Sequence, residues 1–568
     1  MKPTLVLQLS QVGMKDIKLV GGKCASLGEM ICNLSSLGVA VPQGFAITTD
    51  VYWAFLKENQ LEKLIHEAIK TIDFDNMETL RRSGLKIRQA IRNAKFPYHL
   101  GAEIIEAYEL LSQENLQQYT DVAVRSSATA EDLPEASFAG QQESYLNVRG
   151  PSALIDAVRN CFASLFTDRA ISYRDTFHFD VTQIGLSVCV QRMVRSDLAS
   201  AGVAFSLDPE SGFKNVIVIN GSYGLGELVV QGSISPDEFI VFKPTLKEGF
   251  QAIIEKKRGV KDKLMVYGED PDERTKIIPA EKHQQGKFCL DNENILKLAD
   301  WVCKIEDYYS TLNNKWCPVD VEWAVDGMTH ELYIVQARPE TIHSRKNSQV
   351  FTEYLMEETG MGILPIVKGI AVGDKIASGK VNILYSLDKR ITDGNEFKAG
   401  DVLVTEMTDP DWEPIMKKAS AIITNKGGRT CHAAIVAREM GVPAIVGCQN
   451  ATEIIKDGQM VTASCAEGDT GLVYEGRREF ITIETNLSEI AVVNTSIMLN
   501  VANPSIAFQF AALPHKGVGL AREEFIINNY IKVHPMALLK HKQLNDRELT
   551  DSIEKLNNII LLKNFRSV

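Results

Sequence analysis

The stretch SAIITNKGGRTCHAAIVAREMGVPAIVG, residues 420–447, contains the pattern that decides the fold class. Its apolar start, SAIITN, predicts a strand, and KGGRT predicts a tight loop. CHAAIVAREM then predicts a helix that Gly441 ends, and VPAIVG predicts a second strand. A strand, a helix and a strand in this order indicate an α/β domain.

His432 lies in the first turn of this predicted helix. Thr430 is a candidate N-cap, because its hydroxyl can accept a hydrogen bond from a backbone N–H of the first turn. The helix dipole favours negative charge there, which suits a phosphorylated imidazole, and Gly427 and Gly428 allow close approach of a partner's phosphate. An ordinary histidine at a helix start would show the same pattern, so these residues alone leave both interpretations open.

The composition narrows the class of protein. The chain has 568 residues, 45% of them hydrophobic and 24% charged, which is typical of a folded protein of several domains. The net charge of −12 argues against nucleic-acid binding, which needs clustered lysine and arginine. No signal-like apolar region and no run of about 20 apolar residues is found, so we expect a cytoplasmic protein. The ten cysteines form no CxxC pair and are expected to be reduced and mostly buried.

Changes in pattern along the chain predict its domain organisation. Residues 1–345 alternate helical stretches with strand-like runs and are expected to divide near residue 200. Residues 366–476 form the compact domain that carries His432, and residues 493–568 begin a further α/β unit. The pattern is lost in residues 346–365 and 477–492, which predicts two linkers.

Two segments of the first domain carry candidate phosphate ligands. In LVGGKCASLGEM, residues 19–30, Lys23 follows two glycines and precedes a helix, although the segment lacks the spacing of a P-loop. In AVRSSATAED, residues 123–132, Arg125 ends a predicted strand, where a guanidinium offers a bidentate clamp for phosphate. A surface arginine beside a solvated serine-rich loop is the alternative.

The segment PVDVEWAVDGMTHELYIVQARPETI, residues 318–342, predicts a hairpin with a polar face. Asp320 and Glu322 alternate along its first strand, and Gln336 and Arg338 alternate along its second. Such a cluster among apolar residues is costly unless it holds a metal ion and a polyphosphate. A salt-bridged rim of a barrel is the alternative.

The stretch from Gly427 to Arg438 resembles the phosphohistidine signature of the PEP-utilizing enzymes. The segments around Lys23, Arg125 and residues 220–241 resemble the ATP-grasp domain of the synthases in that family. The resemblance implies a multi-domain α/β and α+β fold with an ATP-grasp domain, a swivelling β/α/β phosphohistidine domain and a (β/α)8 barrel for pyruvate or phosphoenolpyruvate. It also implies the reaction ATP + pyruvate + water to AMP + phosphoenolpyruvate + phosphate.

The same resemblance implies roles for individual residues. His432 would carry the phosphoryl group; Lys23, Arg125 and Arg338 would contact ATP phosphates. Glu322 and Gln336 would lie near Mg²⁺, with Asp320 supporting them. Thr430 resembles a threonine that a bifunctional regulatory kinase/phosphorylase modifies, and Arg522 resembles an arginine that binds the substrate phosphate. A homodimer is expected for full-length members of the family.

The C-terminal stretch departs from the family. Position 523 is Glu where an apolar residue is expected, and the ending LNNIILLKNFRSV, residues 556–568, fits the family poorly. We therefore expect a truncated barrel, poor solubility and at most the ATP half-reaction. The alternatives are a pyruvate phosphate dikinase, which consumes phosphate instead of water, and a non-catalytic ATP-binding remnant. The domain order disfavours the rifampicin phosphotransferases, whose histidine domain ends the chain.

Overall fold

The computed structural model describes residues 4–73, 77–129, 143–176, 184–268, 270, 273–340, 350–356, 364–386, 397–429, 431–490, 493–504, 507–540, 543 and 547–557. Thr430 and most of the ending 556–568 lie outside these residues. Among the helices described, none has the length and apolar character needed to cross a bilayer. All ten cysteines are described, none forms a disulfide, and Cys32 alone is exposed.

A five-stranded antiparallel sheet, here the first sheet, organises the N-terminal part of the chain. In spatial order its strands are Val6–Gln8, Gly44–Ile47, Leu186–Arg192, Val122–Ala128 and Ser144–Val148. The helices around it are Thr49–Glu58, Leu61–Lys70, Met77–Asn93, Tyr98–Glu114, Pro151–Ser164 and Asp168–Thr176. Their apolar faces share one core with the sheet, centred on aromatic side chains such as Tyr52, Phe55 and Phe162.

A six-stranded antiparallel sheet, here the second sheet, follows in the chain. Its spatial order is Leu332–Pro339, Val319–Val325, Ser200–Phe205, Val216–Tyr223, Asp237–Phe242 and Ile253–Lys257. The long helix Asn292–Leu312 covers one face, and the helix Ile17–Leu34 contacts strands of both sheets. The smaller elements of this part are the hairpin Lys263–Tyr267 with Thr275–Pro279 and the helices Glu227–Val230, Lys243–Lys247 and Lys282–Gln285.

The residues that carry His432 fold into a closed seven-stranded barrel. Its strands, in order around the barrel, are Val367–Val372, Ala444–Val446, Ala421–Thr424, Val402–Thr405, Ile376–Ile383, Met460–Ser464 and Thr470–Glu475. Three adjacent pairs are parallel and the others antiparallel, so the predicted strand–helix–strand unit is one part of a mixed closed sheet. Its helices are Glu413–Met416, His432–Met440 and Ala451–Ile454.

The two segments expected to be linkers each contain a strand, and these strands pair with each other. Val350–Met356 and Phe480–Asn486 form a two-stranded antiparallel ribbon, with Leu355 opposite Ile481. Backbone hydrogen bonding therefore makes the two connections one element, which we call the ribbon.

The described residues after 493 form a small β-α-β unit. Leu499–Val501 pairs in parallel with Val518–Ala521, with the helix Ala507–Phe510 between them in sequence. The helices Glu523–Ile526, Ile527–Ile531, Pro535–Lys540 and Arg547–Asn557 follow. The ring of Phe508 stacks on Phe213 beside the second sheet, with centroids 4.8 Å apart. The start of an incomplete (β/α)8 barrel, expected for these residues, stays a prediction.

Candidate functional site

A cleft of about 730 Å³ lies where the first sheet, the second sheet and the seven-stranded barrel meet. The predicted ATP-site residues and the predicted phosphohistidine all line it, and they are Lys23, Arg125, Asp320, Glu322, Gln336, Arg338 and His432. These residues come from positions more than 400 apart in the chain. The structure therefore assembles the separately predicted candidates into one site.

A kink places Lys23 at the base of the cleft. Gly21 has φ 72° and ψ 169° inside the helix Ile17–Leu34, so the helix restarts after it. A Cβ at Gly21 would come within 2.2 Å of the Ser127 carbonyl oxygen, which explains the need for glycine in this left-handed conformation. Lys23 is buried, and its Nζ donates to the Ser126 carbonyl at 2.9 Å.

The hairpin places four polar side chains opposite one another, as the alternation in the sequence predicted. Asp320 pairs in register with Arg338, and Glu322 pairs with Gln336. Arg338 Nη2 lies 3.3 Å from Asp320 Oδ2, and Arg125 Nη2 of the first sheet donates to Glu322 Oε2 at 2.6 Å. Arg125 thus joins the two sheets across the cleft.

The two carboxyl groups of the hairpin differ in acidity. Burial raises the pKa of Asp320 to about 6, against the opposing charge of Arg338. Burial also acts on Glu322, but the charges of Arg125, Lys23 and Arg338 outweigh it and lower the pKa of that carboxyl. Glu322 is therefore a carboxylate at neutral pH, whereas Asp320 gains a proton in mildly acidic solution.

The oxygen atoms of the hairpin fit a bound Mg²⁺. Asp320 Oδ1 and Gln336 Oε1 are both buried and accept no hydrogen bond from the part of the chain that the structure describes. Buried acceptors without donors are costly, and carboxylate and carboxamide oxygens are the ligands that Mg²⁺ prefers. No group of three or more His, Cys, Asp or Glu side chains suited to a metal occurs among the described residues. Mg²⁺ in such sites commonly takes one or two protein ligands and completes its shell with phosphate and water.

His432 is the first residue of its helix, His432–Met440, and it is 8% exposed. The N-cap position is Cys431, without a side-chain cap, so the prediction of Thr430 as N-cap is wrong by one residue. The reason is local: Cys431 has the extended φ and ψ of a cap residue, and its buried side chain packs against Gly232 and Gly427.

The imidazole of His432 is held at one nitrogen and kept uncharged. Thr408 Oγ1 lies 3.1 Å from His432 Nδ1, and both groups are buried. Burial, assisted by the charge of Arg169, lowers the pKa of His432 to about 4. In the tautomer in which Nδ1–H donates to the hydroxyl, Nε2 carries the free lone pair that nucleophilic attack requires.

Several contacts hold the barrel against the cleft. Arg438, on the histidine helix, forms an ion pair with Glu210 of the second sheet's domain, and the Gly373 amide donates to the same carboxylate at 3.1 Å. Arg169 and Asp411 lie 3.9 Å apart on the other side. Gly232 approaches Cys431 so closely that a Cβ would lie 1.8 Å from the cysteine Cβ.

Sequence reasoning did not assign roles to Thr408, Arg169, Glu210 or Arg438. Arg438 lies within the phosphohistidine signature, so the sequence did mark it as a residue close to the functional histidine. The other three belong to segments without a recognisable motif. Tertiary contacts alone place Thr408 and Arg169 in the cleft with His432 and pair Glu210 with Arg438.

One end of the cleft is apolar. Ala123, Leu146, Met193, Leu225 and Val230 line it. A flat, weakly polar ring could be buried there while a charged tail extends toward the hairpin and His432.

Arg522 lies away from the cleft. It is exposed, follows the strand Val518–Ala521 and precedes the helix Glu523–Ile526. The structure therefore does not bring Arg522 together with His432.

Two family models match this chain. "Pyruvate phosphate dikinase, AMP/ATP-binding domain" matches residues 17–359, and "PEP-utilising enzyme, mobile domain" matches residues 397–468. The cleft lies between the regions that these two models cover, with His432 in the second.

Curated relatives match along almost all of the chain. The phosphoenolpyruvate synthase of Aquifex aeolicus is 54% identical over 98% of this chain, which spans 64% of that relative. The synthases of Synechocystis and Escherichia coli K12 are 50% and 49% identical over 98% and 99% of the chain, which spans 68% of each relative. From the matched domains and these identities, the chain belongs to the phosphoenolpyruvate synthase family of PEP-utilising phosphotransferases.

Proposed function

We propose that this chain catalyses ATP-dependent phosphorylation of His432 as the first half of a phosphoenolpyruvate synthase reaction. The observation that carries the proposal is that a buried, uncharged histidine and the ATP-site candidates share one cleft. The overall reaction would convert ATP, pyruvate and water to AMP, phosphoenolpyruvate and phosphate.

The apolar end of the cleft would hold the adenine ring, and the triphosphate would extend along the hairpin. Lys23, Arg125 and Arg338 would bind phosphate oxygens, exchanging their present carboxylate and carbonyl partners in part for the nucleotide. Glu322 and Gln336 would hold Mg²⁺ with Asp320 in support. When bound, this ion supplies positive charge that offsets the charge of the phosphates during transfer.

His432 Nε2 would attack the β-phosphorus of ATP. The new N–P bond forms while the bond from that phosphorus to the oxygen bridging the α-phosphate breaks, and AMP leaves with the electron pair. The Thr408 hydroxyl would accept a hydrogen bond from Nδ1–H, so the Nδ1 proton stays on the ring while Nε2 attacks. Attack of water on the outer phosphorus of the pyrophosphohistidine would release inorganic phosphate and leave phosphohistidine.

The second half of the reaction needs the histidine to reach pyruvate. The barrel would leave the cleft by rotating on the ribbon, and phosphohistidine would pass its phosphoryl group to the enolate oxygen of pyruvate. Arg522 would bind the phosphate of the product, and Thr430 would be the site of a regulatory kinase/phosphorylase. A homodimer belongs to the same proposal. The named relatives favour water over phosphate as the second acceptor, and a requirement for phosphate would instead indicate dikinase activity.

The test is incubation of the purified chain with Mg²⁺ and ATP labelled at the β-phosphate, followed by acid and base quenching. We expect label that is lost in acid and stable in base, and that is absent from His432→Ala. Binding of ATP without such label would contradict the proposal and favour an ATP-binding protein without phosphotransfer.

A further inference from the structure

One turn of the second sheet, residues 208–213, contacts two other parts of the molecule. Its Glu210 forms the ion pair with Arg438 of the seven-stranded barrel. Its Phe213 carries the ring on which Phe508 stacks, and Phe508 belongs to the β-α-β unit after residue 493, here the C-terminal unit. Three positions separate Glu210 from Phe213 in the chain. A single short turn therefore lies between the barrel and the C-terminal unit.

Hydrogen bonds within the turn make it a compact body. The Gly212 amide donates to the Asp208 carbonyl at 2.8 Å, and the Asp208 amide donates to the Phe213 carbonyl at 3.0 Å. The Ser211 amide donates to the Asp208 carboxylate at 2.9 Å, and the Phe213 amide donates to the Ser211 hydroxyl at 3.2 Å. Because these bonds connect both ends of the turn to its middle, a displacement of Phe213 also displaces Glu210.

The ring of Phe508 lies on an apolar patch of the second sheet. The patch consists of Val216, Val218 and Ile240, with Phe213 and Phe242 packed beside them. Val218 is the register partner of Phe205, which lines the cleft, so the patch and the cleft lie on the same face of the sheet. Burial of apolar surface and ring stacking both stabilise this contact.

The contact of Glu210 with the barrel is electrostatic. Burial acts to raise the pKa of Glu210, but the charges of Arg438 and Arg429 and the hydrogen bond from the Gly373 amide outweigh it and lower that pKa. Glu210 is therefore a carboxylate at neutral pH. A buried carboxylate is costly without its donors, and both Arg438 and Gly373 belong to the barrel. The strength of this contact thus depends on where the turn places Glu210.

We propose that the turn 208–213 couples the two contacts, so that packing of Phe508 on the patch favours contact of the barrel with Glu210. Movement of the C-terminal unit would shift Phe213 and, with it, Glu210, and the barrel would be released more easily. Thermodynamic linkage makes the effect reciprocal, so departure of the barrel also weakens the packing of Phe508. This inference goes beyond the proposed function, because it concerns communication between domains and requires no nucleotide.

The experiment measures hydrogen–deuterium exchange of the Gly373 amide in the full chain, by mass spectrometry that resolves single amides. This amide donates to Glu210 at 3.1 Å, so its exchange reports contact of the barrel with the turn. We expect Phe508→Ala to speed the exchange about threefold or more, because the stacked ring is lost. Phe508→Leu, which keeps an apolar side chain, is expected to give a smaller increase.

Two further variants test the route of the effect. Phe525 is a 44% exposed aromatic residue of the same unit and is not part of the patch, so Phe525→Ala is the matched control and should leave the exchange unchanged. Glu210→Ala removes the acceptor itself. In that background, Phe508→Ala is expected to add nothing to the exchange rate, because the turn no longer has a carboxylate to position.

Three results would overturn the inference. The first is an unchanged exchange rate in Phe508→Ala, and the second is an equal increase in Phe525→Ala, which would indicate general loosening of the C-terminal unit. The third is an undiminished effect of Phe508→Ala in the Glu210→Ala background, which would place the communication outside the turn. No ATP is present, so the result is independent of whether His432 is phosphorylated, and labelling of His432 tests the proposed function separately.

Discussion

At the scale of single residues, the reactivity proposed for His432 depends on its burial and on two side chains from different parts of the chain. Thr408, 24 positions earlier, fixes the ring by its hydroxyl at Nδ1. Arg169 belongs to another domain and, together with burial, keeps the ring uncharged. An uncharged and oriented imidazole is what nucleophilic attack on phosphorus requires.

Replacing Thr408 by valine keeps the shape of the side chain and removes the hydroxyl. We expect Thr408→Val to lower the rate of His432 labelling about tenfold, because one buried hydrogen bond to the ring is lost. Thr408→Ser, which keeps a hydroxyl, is the matched control and should retain most of the rate. Equal rates in Thr408→Val and the unaltered chain, measured with β-labelled ATP, would show that the hydroxyl does not orient the ring.

The lowered pKa of His432 also predicts how stability depends on pH. In the unfolded protein, the ring takes up a proton below its ordinary pKa of 6.5. In the folded protein, its pKa is about 4, so it takes up a proton only near pH 4. Between these values the unfolded state binds more protons, so the free energy of unfolding falls as the pH falls.

From pH 7.5 to pH 5, the unaltered chain should lose about 2 kcal/mol relative to His432→Gln, which has no such proton site. Urea unfolding of both proteins at the two pH values measures this difference. A difference that does not change with pH would mean that the ring is accessible to protons in the folded protein.

At the scale of elements, two glycines allow a close contact between barrel and cleft. The loop before the histidine helix and the turn that carries Gly232 fit together because each has a glycine, and so no side chain, at the contact. Gly427 has φ 111° and Gly232 has φ 64°, and Cys431 packs between them. The ribbon is a second feature at this scale. Backbone hydrogen bonds between its two strands join the two connections to the barrel into one unit.

A methyl group at Gly232 should disturb the contact between barrel and cleft. In Gly232→Ala the new Cβ would lie 1.8 Å from the Cβ of Cys431, so the barrel cannot approach as it does now. We expect the labelling rate to fall at least tenfold. Gly249→Ala is the matched control, because Gly249 also has positive φ, 84°, but a Cβ there meets nothing within 4 Å. Similar losses in both variants would assign the effect to backbone strain, which costs about 1 kcal/mol, rather than to the contact.

At the scale of the whole molecule, the barrel rests against the nucleotide cleft, and His432 is enclosed there. Charged contacts from both sides support this arrangement: Glu210 with Arg438 on one side, and Arg169 with Asp411 on the other. Ion pairs suit the domain separation that we propose, because their partners can be solvated by water when the domains part.

Reversing one charge at this interface should release the barrel. Glu210→Arg places two arginines together at a buried contact, which costs about 3 kcal/mol. We therefore expect the radius of gyration, measured by small-angle scattering, to increase. The double variant Glu210→Arg with Arg438→Glu restores opposite charges and should return the radius toward that of the unaltered chain. A double variant that stays as expanded as the single one would show that this pair does not hold the barrel in place.

The sequence by itself determined the local structure and the chemistry of the candidate residues. Alternation along residues 318–342 predicted the hairpin and the shared face of Asp320 and Glu322, because strand geometry sends alternate side chains to the same side. The pattern of residues 420–447 predicted the strand, loop and helix around His432, with an error of one residue at the cap. These features depend on near neighbours in the chain.

Tertiary structure decided everything that depends on distant residues. It alone closed the seven-stranded barrel, paired the two connections into the ribbon, and brought Thr408 and Arg169 to His432. Burial in that assembly, rather than the identity of the residue, lowers the pKa of His432 and raises that of Asp320. The physical reason is that desolvation and charge act through space, whereas a sequence pattern reports only the periodicity of the local backbone.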